Sequence, residues 1–149
     1  MRDEINEALK TARAADDAHA VSTIRLINAA IKDRDIAQRE KGCDPVGDEA
    51  IHDILIKMVR QRRESARGYE ESNQLDLAEQ ERREIGIIEG FLPVQMGEDD
   101  VRNACAEVVR DSGASGLRDV GKCMGTLKKR YPGQMDFGKA SGEVKRLLG

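Results

Sequence analysis

The segment that decides the fold is Ile51-His52-Asp53-Ile54-Leu55-Ile56-Lys57-Met58-Val59. Its large apolar residues recur at positions i, i+3, i+4, i+7 and i+8, a spacing that places side chains on one face of an α-helix. The residues on this face are Ile51, Ile54, Leu55, Met58 and Val59. The segment therefore predicts a long amphipathic helix, capped at its start by Asp48, with one face buried in a core.

The same period continues toward the N-terminus and predicts two earlier helices. One is expected over residues 2–15 and the other over residues 18–41, with Asp16 or Asp17 capping the second of them. The second helix ends before Pro45, because proline cannot continue a helix.

A fourth helix follows the long amphipathic one, and a break follows the fourth. Ser72 or Asn73 is expected to cap this helix, whose apolar residues continue to Leu92. Pro93 pushes the residue before it out of helical geometry, and Gly97 follows closely. We therefore expect a domain boundary at this point.

The remainder of the chain predicts three shorter helices. They are expected over residues 98–111, over residues 117–130, and after a cap at Asp136. No stretch alternates apolar and polar residues in the way of a β-strand. The sequence thus predicts an all-α fold, with an N-terminal helical bundle over residues 1–92 and a small three-helix domain over residues 93–149.

Charge is distributed unevenly along the chain, although the formal net charge is only −3 at pH 7. Residues 1–97 carry 15 Lys/Arg against 20 Asp/Glu, whereas residues 117–149 carry 8 against 3. Charged residues make up 36% of the chain and aromatic residues 3%, but the regular apolar spacing argues against disorder. A basic C-terminal third beside an acidic body favours a polyanionic partner.

Cysteine and histidine usage predicts neither disulfides nor a metal site. Cys43, Cys105 and Cys123 are odd in number and far apart, and neither His19 nor His52 stands at metal-ligand spacing from them. We expect free thiols in a cytoplasmic protein without metal or cofactor. The N-terminus lacks the apolar core of a signal peptide, and no apolar run reaches membrane-spanning length, so no membrane association is expected.

The sequence contains no recognisable catalytic centre. A nucleophilic serine would need a strained turn and a nearby base, but the serines lie in polar helix or linker positions and neither histidine has an evident partner. Gly121-Lys122-Cys123-Met124-Gly125 resembles part of a phosphate-binding loop, but it follows no predicted strand and lacks the Gly-Lys-Ser/Thr ending. We therefore expect no enzymatic activity and assign no catalytic residue.

Gly121 and Gly125 leave a stretch of bare backbone on one face of the predicted sixth helix. Each glycine costs a helix about 1 kcal/mol relative to alanine, so a compensating contact is expected. Two interpretations are open. A neighbouring helix packs closely against the glycines, or a ligand contacts the backbone there.

A basic set around these glycines is the first candidate nucleic-acid-binding site. Its side chains are Lys122, Lys128, Lys129, Arg130 and Tyr131, with further cations at Lys139, Lys145 and Arg146. Phosphates would pair with the cations while a base stacks on the tyrosine. In the alternative interpretation, the cations only stabilise helix C-termini through the helix dipole.

A second basic patch lies on the C-terminal half of the third helix. It comprises Lys57, Arg60, Arg62, Arg63 and Arg67. This patch is either a surface that contacts phosphates or a solvated face paired with glutamates of the fourth helix, such as Glu79, Glu81 and Glu84.

Several short motifs carry a combined signature. A Leu-Pro-x-Gln-Leu motif is approximated by Leu92-Pro93-Val94-Gln95-Met96. A signature of Gly-Ala-Ser followed by Gly-Lys-x-Met-Gly is matched by Ser112-Gly113-Ala114-Ser115 and Gly121-Lys122-Cys123-Met124-Gly125. Ser22-Thr23-Ile24-Arg25-Leu26-Ile27 and Gln61-Arg62-Arg63-Glu64-Ser65 add to the match. These motifs are spread along the whole chain. Through them the chain resembles the GatB/YqeY family, and within that family a stand-alone YqeY-like protein.

The resemblance implies a helical bundle followed by a small domain similar to the tail of the B subunit of glutamine-dependent aspartyl/glutamyl-tRNA amidotransferase. In that enzyme the tail contacts the tRNA, and the phosphorylation and ammonia chemistry belong to other domains. The resemblance thus implies a non-catalytic binding module for tRNA or for a tRNA-charging enzyme. Two alternatives stay open: an accessory component of an amidotransferase, which is a carbon–nitrogen ligase with glutamine as amido donor, and a protein–protein adaptor that binds no RNA.

Overall fold

The computed structural model describes all 149 residues and contains seven α-helices, one 3₁₀ turn and no β-strand. The all-α fold predicted from the sequence is therefore confirmed. The elements are α1 (Arg2–Ala14), α2 (Ala18–Glu40), α3 (Asp48–Glu71), α4 (Leu75–Glu89), α5 (Glu98–Asp111), the 3₁₀ turn (Leu117–Asp119), α6 (Val120–Arg130) and α7 (Phe137–Leu148). None of these helices is both long and apolar enough to cross a membrane.

The chain divides into two compact units, unit 1 (Met1–Pro93) and unit 2 (Val94–Gly149). Unit 1 contains α1 to α4, and unit 2 contains the 3₁₀ turn and α5 to α7. The sequence assigns domains to residues 1–92 and 93–149. That each of them folds independently stays a prediction.

The core of unit 1 forms around α3. The five residues of the stripe that runs from Ile51 to Val59 are all buried, and Ile51 and Leu55 completely so. Because α3 packs on α4, α1 on α2, and α2 on α4, the apolar faces of the other helices meet the same core. They contribute, among others, the completely buried Ile5, Ile27 and Ile88. Burial of a side chain of this size stabilises the fold by about 1.5–3 kcal/mol, so this core is the main stabilising element of unit 1.

Arg2 joins three segments of unit 1 through a polar cluster. Its guanidinium donates to both carboxylate oxygens of Asp35 in α2 and to the carbonyl oxygen of Val46, each at 2.8 Å. The amide N–H of Val46 donates in turn to Asp35 Oδ1 at 2.9 Å. These hydrogen bonds, above all those from Arg2, hold the pKa of Asp35 below its ordinary value because they favour the ionised carboxylate. The cluster fastens the start of α1 and the loop before α3 to α2.

Two of the predicted helix caps are confirmed. Asp17 accepts a hydrogen bond from the Ala20 amide at 3.1 Å at the start of α2, and Asp136 accepts one from the Gly138 amide at 2.9 Å at the start of α7. Each carboxylate thereby satisfies a backbone N–H that has no partner inside its helix.

Two other predicted caps are wrong. Gly47 occupies the cap position of α3, and Asp48 is the first helical residue, where its charge still favours the positive end of the helix dipole. At the start of α4 the cap position is Gln74, and no side chain makes a capping hydrogen bond there. Ser72 instead donates to carbonyl oxygens of α3, and Asn73 takes a left-handed backbone conformation with φ of 60° that ends α3.

Unit 2 is a small three-helix unit, as the sequence predicts, with its own core. The core residues come from all three helices, and the completely buried ones are Cys105, Val108, Cys123, Leu127, Ala140 and Val144.

Gln95 fastens the beginning of unit 2 to the turn between α6 and α7. Its Nε2 donates to the carbonyl oxygen of Gly133 at 2.7 Å, and the amide of Met96 donates to the carbonyl oxygen of Gln134 at 2.9 Å. Gly133 is buried and has φ of 71°, a conformation that glycine adopts without a steric penalty. The fold therefore explains the glutamine of the Leu-Pro-x-Gln segment as a structural residue.

We predict that Asp35→Asn lowers the stability of the protein at neutral pH and removes part of its acid sensitivity. A carboxylate whose pKa is depressed by folding contributes stability that is complete above about pH 4 and is lost as the pH falls through the folded-state pKa. Urea unfolding should therefore give a lower free energy of unfolding for the variant at pH 7, and this difference should shrink steadily below pH 4.

Asp33→Asn is the matched control, because Asp33 is an exposed residue of α2 with no hydrogen-bonded partner. This control should unfold like the wild type at pH 7. Equal stability of Asp35→Asn and Asp33→Asn at pH 7 would show that the Arg2–Asp35 cluster contributes nothing.

Candidate nucleic-acid interface

The buried residues of α6 set the orientation of this helix. Cys123 and Leu127 lie in the core of unit 2 with no exposed surface. Successive residues of a helix are rotated by about 100° around its axis, so the positions on the opposite side of α6 face outward. These positions are Gly121, Lys122, Gly125, Lys128 and Lys129, all exposed. We call these five residues the α6 outer face.

The two glycines of the α6 outer face border open space. Apart from the adjacent residues and the nearby backbone of α6 itself, no atom of the chain lies within 4 Å of a Cβ atom built on Gly121 or on Gly125. The interpretation that a neighbouring helix packs against these glycines is therefore not supported within this chain. The cost of about 1 kcal/mol for each glycine in a helix has no compensation in the structure as it stands.

The three lysines of the α6 outer face form no ion pair, although the charge of Lys122 contributes, after the backbone hydrogen bond from Ser115, to the lowered pKa of Asp119. Lys122 Nζ donates to the carbonyl oxygen of Ser112 at 3.2 Å, and Lys129 is exposed without a partner. Lys128 Nζ lies 5.9 Å from the centre of the Phe137 ring, a cation–π contact that leaves its charge uncompensated. Lys128 stands on one side of the glycines and Lys122 and Lys129 on the other, so the bare backbone is bordered by positive charge.

Arg130 and Tyr131 belong to the predicted basic set but not to the α6 outer face. Arg130 Nη1 forms an ion pair with Asp111 Oδ2 of α5 at 3.1 Å, which neutralises its charge locally. Tyr131 is half-buried and packs against the core of unit 2, and its amide closes the last turn of α6 by donating to the Leu127 carbonyl at 2.9 Å. The structure thus separates these two residues from the glycines and lysines.

The basic residues of α7 divide in the same way. Lys139 and Lys145 are exposed and lie in no ion pair. Arg146, in contrast, donates two hydrogen bonds to Glu143, at 2.6 and 3.1 Å, and these lower the pKa of Glu143. Positive charge in unit 2 that lacks an acidic partner is therefore carried mainly by lysines.

The second basic patch, on α3, is partly neutralised by α4. Arg62 Nε lies 3.1 Å from Glu84 Oε2, and Arg63 Nη2 lies 2.5 Å from Glu89 Oε1. Glu84 is one of the partners expected from the sequence, whereas Glu89 was not anticipated. These contacts support the interpretation of a paired helix face at the middle of the patch.

The ends of this patch differ from its middle. Lys57 is exposed and borders an open groove together with Arg34 and Met58, and Arg67 is exposed on the following turns of α3. Arg60 is half-buried. The five cations of the patch therefore do not form one continuous unpaired surface.

The cysteines and the potential metal ligands of the chain do not form a metal site. The three cysteines are free thiols, and Cys105 and Cys123 are buried in the core of unit 2. Burial raises the pKa of the Cys105 thiol, which disfavours the reactive thiolate. No group of three His, Cys, Asp or Glu side chains is placed to hold a metal ion.

Sequence reasoning missed one exposed apolar residue, which comes shortly before α6 in the chain. Leu117, predicted as the first residue of the sixth helix, begins the 3₁₀ turn instead and is 59% exposed. Leu117 stands four residues before Gly121 in the chain, and its side chain lies near Gly149 at the end of α7. A leucine so exposed gives unit 2 an apolar contact point at its surface.

Comparison with known proteins gives one family and several relatives. The family model described as Yqey-like protein matches residues 2–148. The protein named Altered inheritance of mitochondria protein 41, mitochondrial, from Eremothecium gossypii is 37% identical over 98 residues, which cover 64% of this chain and 52% of that protein. The protein of the same name from Kluyveromyces lactis is 31% identical over 145 residues, covering 95% of this chain and 72% of that protein.

The matches from Lachancea thermotolerans and Candida glabrata have the same name and cover 46% and 53% of those proteins. The chain thus spans about half the length of its curated relatives from Eremothecium gossypii, Lachancea thermotolerans and Candida glabrata. The names of these relatives describe them as mitochondrial proteins. A cytoplasmic location for this chain stays a prediction. Since the family model matches almost every residue and relatives above 30% identity agree with it, the chain belongs to the YqeY-like protein family.

Proposed function

We propose that the chain is a non-catalytic binding module for tRNA, which docks on the α6 outer face. The observation that carries the proposal is the bare backbone at Gly121 and Gly125, bordered by three lysines that form no ion pair. The proposal assigns no chemical step to this chain. An accessory role beside an amidotransferase, with the glutamine chemistry in another protein, is compatible with such a module.

Charge complementarity supports an anionic ligand at this face. Arginines of unit 1 such as Arg2, Arg62 and Arg63 are engaged with Asp35, Glu84 and Glu89. The lysines of the α6 outer face have no such partners. Uncompensated lysines on a rigid helix attract phosphates, and release of the counterions condensed on the nucleic acid makes that contact favourable.

The glycines support a ligand that approaches the helix backbone closely. Without side chains at Gly121 and Gly125, a ribose–phosphate chain can lie against the helix surface while lysines on either side reach its phosphates. Such a contact would offset the helix cost of the glycines, which nothing inside the chain offsets. It also gives a physical reason for glycine at both positions.

A protein–protein adaptor is the second candidate function, and Leu117 is the observation that favours it. A protein partner would cover this 59% exposed leucine, and its binding would depend on apolar contact more than on salt. The salt dependence of RNA binding therefore separates the two functions.

We predict that tRNA binding falls steeply with salt and depends on Lys128 and Lys129. Three phosphate contacts give a slope of log affinity against log salt of roughly −2 to −3, at about −0.7 to −0.9 for each contact. Fluorescence anisotropy with labelled tRNA between 50 and 200 mM salt measures this slope, and Lys128→Glu with Lys129→Glu should weaken binding by about tenfold or more.

The matched control is Arg25→Glu with Lys32→Glu, the same change of charge at two exposed residues of α2 that form no ion pair. This control should retain most of the affinity. Equal losses in both double variants, or a slope near zero, would exclude the α6 outer face as the site. Absence of binding below about 0.1 mM at low salt would favour the adaptor instead.

We further predict that Gly121→Ala with Gly125→Ala makes the protein more stable and a weaker tRNA ligand. The added methyl groups meet no atom within 4 Å beyond the adjacent residues and the local backbone of α6, and alanine is favoured over glycine in a helix by about 1 kcal/mol. Thermal unfolding should therefore move to higher temperature while the tRNA affinity falls several-fold. Unchanged affinity in a stabilised variant would mean that the ligand does not approach the backbone.

A further inference from the structure

The aromatic rings of unit 2 are engaged in its own fold. Unit 2 has two aromatic side chains, Tyr131 and Phe137, and both pack against its core. The face of the Phe137 ring is additionally covered by Lys128, whose Nζ lies 5.9 Å from the ring centre. No aromatic ring therefore stands free beside the α6 outer face.

The remaining polar side chains at this face are also unsuited to read bases. Lysines donate hydrogen bonds but accept none. Thr126, the neighbouring hydroxyl, donates to the carbonyl oxygen of Lys122 at 3.2 Å. Recognition of unpaired bases normally uses stacking on aromatic rings and hydrogen bonds to base edges from groups that both donate and accept.

The arrangement of charge suits a continuous backbone instead. Lys122 and Lys129 are seven residues apart on one side of the glycines, a separation of about 10 Å along the helix. Lys128 lies on the other side. A sugar–phosphate strand held in place by base pairing presents successive phosphates at fixed positions, whereas a single strand loses conformational freedom when it is held in the same way.

From these observations we infer that the α6 outer face takes the sugar–phosphate backbone of base-paired RNA and does not hold unpaired bases. The inference rests on the proposed function and names the part of the RNA that is bound. Double-stranded RNA is recognised by shape and by contacts to phosphates and ribose hydroxyls. Lysine ammonium groups can reach the phosphates, and the bare helix backbone lets the RNA strand approach closely.

The test compares two labelled RNAs with the full-length protein at low salt. One is an RNA hairpin with a long paired stem, and the other is an unstructured oligouridine with the same number of phosphates. The inference predicts at least tenfold tighter binding to the hairpin, with the preference lost in Lys128→Glu with Lys129→Glu. Equal or tighter binding to oligouridine would overturn the inference while leaving RNA binding in place. Binding of neither RNA would overturn the proposed function as well.

A variant of Tyr131 tests independently whether its aromatic ring takes part in RNA binding. Tyr131→Leu removes an aromatic side chain but keeps an apolar one for the core, and circular dichroism verifies its fold. The inference predicts less than a twofold change in hairpin affinity. A loss of fivefold or more in the folded variant would indicate base stacking on Tyr131 and contradict the inference. If the variant does not fold, the comparison of the two RNAs with the wild type decides.

Discussion

Burial of Cys123 and Leu127 in the core of unit 2 determines which way α6 faces, and the candidate site depends on that rotation. With these two residues inside, helix geometry places Gly121 and Gly125 on the solvent side. Gln95 holds the turn between α6 and α7 through its hydrogen bond to the Gly133 carbonyl oxygen. A single packing constraint thus converts a glycine- and lysine-rich segment into an open, positively charged face.

The two basic segments of the chain illustrate how tertiary structure distinguishes similar compositions. On α3, Arg62 and Arg63 lie against α4 and pair with Glu84 and Glu89. On α6, the outward lysines have no helix opposite them that carries carboxylates. Both arginine pairs remove charge that an anionic ligand could use, and the pair of the exposed Arg63 with Glu89 adds only about 1 kcal/mol of stability or less. The unpaired lysines retain their charge.

Periodicity was sufficient to predict the helices, since Ile51 to Val59 and the other apolar stripes are buried where the spacing places them. Single cap residues were less predictable. An acidic residue at Asp48 is equally suited to the cap and to the first turn, and only the backbone shows that it lies in the first turn. The environment of Gly121 and Gly125 could not be derived at all, because a glycine pair indicates close packing or open backbone depending on which element lies opposite. For the same reason, the sequence could not show that Tyr131 turns into the core.

The central claim is that RNA contacts the outward side of α6, and amide chemical-shift mapping tests it most directly. Titration of ¹⁵N-labelled full-length protein with tRNA at low salt should shift the amide signals of Gly121, Gly125, Lys128 and Lys129, and added salt should reverse these shifts. The two glycine signals are valuable because they report on the backbone itself. Shifts confined to residues 57–67 of α3, or no shifts at saturating tRNA, would contradict the account.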